Sequence, residues 1–260
     1  MILRRRVALD GVQLDSVDTK VLIQTVEPQA GKMAISGSSL WGADGSRVTN
    51  IHRDSLDINV KFSINEKSYH MAARSAVFEK VLAWAAAGGW LTVNNKPGRK
   101  IRVICAQPPG EGDLGNRNQY TIVFRAYGVP YWQEADATTK QLSGSSGSST
   151  MTIGGSARTV MDCTFVNTSG GTINGLTISA GGSSFSFSSL GLGNGETLTI
   201  DHPDNGERSY LRCRIGNTSV LARRSAGSSD DLYVMPGSRA VSFSADRVGT
   251  MVFSVRGRFA

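Results

Sequence analysis

Short runs that alternate apolar with polar residues, each ended by Gly, Ser, Asn or Asp, make up most of this 260-residue chain. Alternation with a period of two marks a strand with one buried face, and close turn signals favour antiparallel neighbours. In "SLDINVKFSI", Leu56, Ile58, Val60 and Phe62 face one way, while Asp57, Asn59 and Lys61 face the other. "KVLIQTV" and "YTIVFRAY" read likewise. From Ser156 onward every segment has this cadence: "SARTVMDCTFVN", "INGLTISA", "SSFSFSS", "GETLTIDH", "SYLRCRI", "TSVLARRS", "DLYVMPGSRAVSFSA" and "TMVFSVRGRF". Such spacing suits a sandwich of antiparallel strands. The expected fold class is therefore mainly β.

One stretch breaks the cadence. Between Tyr69 and Ala87, Met71, Phe78, Val81, Leu82 and Ala85 recur at three- and four-residue steps, which aligns them on one face of a helix. Gly88-Gly89 supply its stop. A single amphipathic helix of this length needs a surface to lie on, and the strands "WLTV" and "IRVIC" follow at once, joined through a turn with Pro97 and Gly98 at its centre. The expected first domain is a β-sandwich or barrel-like body with one packed helix.

Two stretches depart from core character. "AGKMAISGSSLWGADGSRVTNIHRD" is polar and Gly-rich with a "GADGS" centre, which predicts an arm ending in a hairpin tip, the alternative being a disordered surface loop. "KQLSGSSGSSTMTIGG", Lys140 to Gly155, is the one low-complexity run and reads as flexible coil. All four Trp precede it. The expected organisation is a first domain over 1–133, a Gly/Ser-containing linker over 134–150 and a β-sandwich over 151–260.

The formal charge is +7, of which residues 1–133 carry +6 (17 Lys/Arg against 11 Asp/Glu). A basic first part and a near-neutral second part fit either ordinary solubility charge or different surroundings for the two. The one basic run, Arg4-Arg5-Arg6, is short. Three widely spaced cysteines form no C-x-x-C pair, so reduced thiols and no essential disulfide are expected. The N-terminus lacks the apolar stretch of a signal peptide, and the apolar run Val81 to Val93 is too short to span a bilayer, so no membrane insertion is expected.

Chemistry finds little support. His52, His70 and His202 have no metal-ligand spacing, and no G-x-S-x-G or Walker A sequence occurs. Each histidine reads as a surface or turn residue. "GEGDLG", Gly110 to Gly115, matches a dinucleotide fingerprint by letter, but a strand follows it where a helix N-terminus is required. No catalytic residue, metal ligand or cofactor is expected. Sugar binding by the second domain would need exposed aromatic rings; this part has no Trp, and Phe185 and Phe187 alternate with Ser as core residues do. "RRSAGSSDD", Arg223 to Asp231, reads equally as a partner-binding loop or a solvated turn.

The order of these features resembles that of the distal tail proteins of long-tailed bacteriophages, which are hubs of the tail tip or baseplate. The likeness rests on Arg53-Asp54 ahead of a strand, the Pro97-Gly98 hairpin, and the paired segments "GETLTID" and "PGSRAVSFS". The resemblance implies a structural virion protein made in the bacterial cytoplasm and placed at the distal end of the tail. Six copies would join through the first domain as one ring or two stacked rings. That ring would meet the tail-tube protein, and DNA would pass through its centre only in transit. The outer domain would be a galectin-like β-sandwich that holds tail-tip, tail-associated and receptor-binding proteins. The arm residues Gly37, Ser38, Ser39, Leu40, Trp41, Gly42, Ala43, Asp44, Gly45 and Ser46 would then contact a neighbouring copy, and Arg4, Arg5 and Arg6 would face the passing DNA. The alternative is a carbohydrate-binding host-recognition module in the second domain; a hydrolase relying on His202 or Asp201 has the least support.

Overall fold

Apolar residues at alternate positions build a separate antiparallel sheet system in each half of the chain. In the computed structural model, residues 6–29, 31–39, 46–67, 70–110 and 119–260 are described. The chain divides into two compact units, Met1–Trp132 together with Asp204–Arg208, and Gln133–Pro203 together with Ser209–Ala260.

In the first unit, β1 (Val7–Leu9) and β2 (Val12–Gln13) are joined by Asp10-Gly11, both at positive φ (47° and 84°), as a tight hairpin requires. A one-turn helix α1 (Leu14–Val17) buries Leu14 and precedes β3 (Val21–Pro28), β4 (Lys32–Ser39) and β5 (Ser46–Ile64). Helix α2 (Met71–Ala86), β6 (Gly89–Val93), β7 (Arg99–Gln107) and β8 (Tyr120–Ala126) follow. The sheet runs β2-β1-β6-β7-β8-β5-β3, antiparallel throughout. Leu56, Ile58, Val60 and Phe62 are all buried on one face, as their alternation predicts. Helix α2 covers that face: Phe78 packs 5.3 Å from Tyr120, and Trp84 meets Phe124 edge-on at 5.7 Å. The Pro97-Gly98 turn also forms as expected, with Gly98 at φ 69° and Arg99 N donating to Lys96 O at 3.3 Å.

The buried stripe of α2 differs from the expected one. It comprises Arg74, Val77, Phe78, Val81, Trp84 and Ala85, while Met71 is exposed and Leu82 half-buried. A charged residue was not counted as core in the sequence, yet Arg74 is buried because its guanidinium has acceptors within reach. It donates to Glu66 O at 2.8 Å and Tyr120 Oη at 3.3 Å.

The second unit begins within β9 (Trp132–Glu134) and continues with β10 (Thr138–Ile153), β11 (Thr159–Asn167), β12 (Leu176–Ala180), β13 (Ser183–Phe187), β14 (Thr197–Asp201), β15 (Arg212–Ile215) and β16 (Thr218–Ser219). A 3-10 turn at Leu221–Arg223 replaces part of the strand expected in "TSVLARRS". Then come β17 (Tyr233–Val234), β18 (Gly237–Val255) and β19 (Arg258–Phe259). The order is β13-β12-β18-β11-β14-β15-β16, with β10 also on β18 and β17 on β11. The two strands expected in "PGSRAVSFSA" and "TMVFSVRGRF" are one bent 19-residue strand, β18. Its first half pairs with β12 and its second half with β11. Phe165, Phe185, Phe253, Ile178 and Ile200 fill the core.

The Gly/Ser run is not flexible coil. It forms most of β10, paired with β18 from Thr138↔Val255 to Ile153↔Gly237. Composition reports that a segment has little to bury, but a partner strand satisfies its backbone regardless. Small residues suit the position: Gly144 stands at φ 130° beside the register shift, and a Cβ on Gly147 would press Phe243 and Leu142 at 3.2 and 3.3 Å. Cys163 and Cys213 are buried free thiols and Cys105 is half-buried. No helix among the described residues is long and apolar enough to cross a membrane.

Candidate assembly surface

Strand β5 belongs to the body from Leu56 onward, where β8 flanks it, joined by β3 from Ile58. Among the described residues its earlier part, up to Ser55, pairs only with β4, so Lys32–Ser39 and the start of β5 form a two-stranded arm. Gly37, Ser38, Ser39 and Ser46 lie on these strands, with Ser39 opposite Ser46. Leu40, Trp41, Gly42, Ala43, Asp44 and Gly45 lie outside the described residues, as do Arg4, Arg5 and the greater part of "GEGDLG". Arg6 is exposed, and its main-chain N donates to Asn94 Oδ1 at 3.2 Å.

The arm is amphipathic. Residues directly opposed in a ladder share a face, and here Met33 opposes Arg53, Ile35 opposes Ile51, and Gly37 opposes Val48. Between the last two pairs the register shifts so that Thr49 is the extra residue, its hydroxyl donating to Ser36 O at 3.0 Å. That bulge returns Val48 to the side of Ile51. One face therefore carries Met33, Ile35, Val48 and Ile51, which are 54, 65, 51 and 58% exposed. The other face carries Ala34, Ser36, Asn50 and His52.

The arm's root is held firmly. A second register shift makes Asp54 the extra residue there, so the Arg53-Asp54 pair singled out in the sequence marks the bend between arm and body. The Arg53 guanidinium lies 4.7 Å over the Tyr131 ring and donates to Pro130 O at 3.4 Å. Gly31 leaves room for it, since a Cβ there would meet Arg53 Nε at 2.8 Å. The sequence signal for the apolar stripe was present in the alternation of Met33 with Ile35, but the surrounding Gly and Ser residues masked it.

The histidines are scattered. His52 Nδ1 is 3.3 Å from Asn50 Nδ2, and His70 Nδ1 is 2.9 Å from Glu66. Lys20, His70 and the Lys67 amide together hold the Glu66 carboxyl down at about 2. His202, expected to be a surface or turn residue, is neither solvated nor without partners. Its ring is almost fully buried, with Nδ1 2.7 Å from Asp162 and Nε2 2.7 Å from Asp231. Its partners lie 40 and 29 residues away, beyond any local pattern. Burial disfavours the charged ring, yet the two carboxylates outweigh it and raise His202 to about 9. Among the described residues no group of three His, Cys, Asp or Glu is placed to hold a metal. Phe185 and Phe187 are core residues, as read from the sequence.

No family model matches the sequence, and no curated protein matches it. Solved structures do. The SPP1 Dit (gp 19.1) protein, described as a paradigm of the hub adsorption apparatus in phages infecting Gram-positive hosts, is similar over 97% of this chain and 98% of its own. The TM-score is 0.67 and the identity 14%. Chains of the phage p2 baseplate in its activated conformation, with Sr and with Ca, are 10% and 11% identical over 97% of this chain and 97% and 98% of theirs. Their TM-scores are 0.45 and 0.43. The structural neighbours are thus phage hub and baseplate proteins, and this mainly β chain has the fold of the SPP1 Dit protein over nearly its full length.

Proposed function

We propose that the chain is a structural subunit of a phage tail hub. In this reading six copies close a ring through the first unit at the distal end of the tail, joining the tail tube to tip and receptor-binding proteins around a channel for DNA. The observation that carries it is the shared fold with SPP1 Dit across both units. The arm supports it independently. A lone two-stranded ribbon is marginal in water, and this one shows four apolar side chains on a single face. A neighbouring copy would cover that face, and closed rotational symmetry gives every arm the same neighbour. The Gly37–Ser46 end would continue the contact, and Arg6 would add positive charge near the channel.

Electron microscopy of the purified full chain, alone and with its tail-tube protein, tests the reading together with light scattering. Six-membered rings are the expected result. Isolated monomers at every concentration, with and without the tube protein, would overturn it.

A further inference from the structure

In the second unit, β13 ends the sheet path; among the described residues β12 is the one strand it pairs with, and Phe187 at its end forms an isolated bridge to Arg224. Its outer edge is nevertheless closed. Ser225 N donates to Ser186 O at 2.7 Å and Ser229 N to Ser184 O at 2.8 Å. In return Ser186 N donates to Ser228 Oγ at 3.1 Å and Ser184 N to Ser229 Oγ at 3.0 Å. The main-chain N–H and C=O of both Ser184 and Ser186 are thus taken by the segment running from Arg224 to Asp231. Arg224 closes this segment on itself by donating to Ser229 O at 2.8 Å and Asp230 O at 3.0 Å, with its guanidinium 4.9 Å over the Phe185 ring.

The segment ends on the His202 cluster. Asp231 Oδ1 accepts from both His202 Nε2 and Leu232 N, each at 2.7 Å, while Asp162 on β11 takes His202 Nδ1. A carboxylate only accepts hydrogen bonds, so a ring between two of them must donate from both nitrogens and is an imidazolium. Asp201, the residue before His202, is occupied by Arg212 on β15 at 2.8 and 2.5 Å. Loss of the His202 proton would set a ring lone pair against one of the two carboxylates at 2.7 Å.

We propose that Arg224–Asp231 is a strap that seals the edge of β13, and that the charge on His202 is the catch that holds it closed. An open strand edge is a template for pairing with another chain, so the catch decides whether β13 accepts a further strand. The sign follows from the raised His202 value: the catch is complete below the ordinary 6.5 and is lost as pH rises through about 9.

Residue-resolved amide exchange on the full chain tests this. Asp231→Asn keeps the shape and removes the charge; it should raise exchange at Ser184 and Ser186 roughly tenfold or more, with Phe165 in β11 unchanged. In the unmodified protein, protection at the same two amides, corrected for intrinsic base catalysis, should fall between pH 7 and 10 in step with the His202 ring resonance. The pH series decides even if the variant does not fold. Protection that stays constant across the series, or that is lost equally at Phe165, would overturn the proposal.

Discussion

Ile35→Asp isolates the arm's apolar face from the body of the protein. Ile35 opposes Ile51 and is 65% exposed, so in the free chain its replacement removes little packing. Fully burying an Ile side chain contributes about 1.5–3 kcal/mol, so covering the exposed two-thirds contributes about 1–2 kcal/mol per contact. A carboxylate left unpaired in a closed contact costs about 1–3 kcal/mol more. In the proposed ring, a contact between copies through this face should therefore weaken by about 2 kcal/mol or more, roughly thirtyfold. Light scattering across a concentration series should show the variant dissociating where the unmodified protein remains assembled, with circular dichroism and thermal unfolding of the two superimposable. Ser36→Asp, on the polar face, is the control and should assemble normally. Equal loss in both variants, or assembly retained in Ile35→Asp, would refute the assignment of this face.

Gly249→Ala in β18 would place a Cβ 2.7 Å from Val166 O and closer still to the Phe165 ring; overpacking of this kind costs about 1–3 kcal/mol, read as a lowered denaturant midpoint for the second unit. Glu66 contributes stability that is present above its ordinary 4.5 and lost as pH falls towards about 2. Glu66→Gln should flatten the acid side of the unfolding profile, and an unchanged profile would contradict the Lys20 and His70 contacts. Burial raises the Cys163 thiol and pushes Cys213 up to about 12. Burial raises the Cys105 thiol too, but Cys105 is only half-buried, so an aromatic disulfide reagent should modify it alone in the native protein and all three thiols after denaturation.

The alternation of Leu56, Ile58, Val60 and Phe62 made the body half of β5 readable, because a period of two admits only one burial pattern once one face meets a core. Gly88-Gly89 and Pro97-Gly98 were equally clear, since φ restrictions act residue by residue. Other features depend on distant partners. The Gly/Ser run is a strand because β18 lies beside it, and Arg74 is core because Glu66 O and Tyr120 Oη lie within its reach. His202 reads as a turn residue until Asp162 and Asp231 flank it. The arm was legible as a projection, but its apolar face emerged only from the cross-strand register and the bulge at Thr49.

Local periodicity and turn chemistry, carried within a few residues, determined that this protein is β with one covering helix. Tertiary structure alone decided which polar groups are buried, which strand edges are closed and which apolar side chains are left uncovered. Those outcomes depend on pairing between segments tens of residues apart, and the free energy of a buried charge or a strand edge belongs to the pair, not to either member.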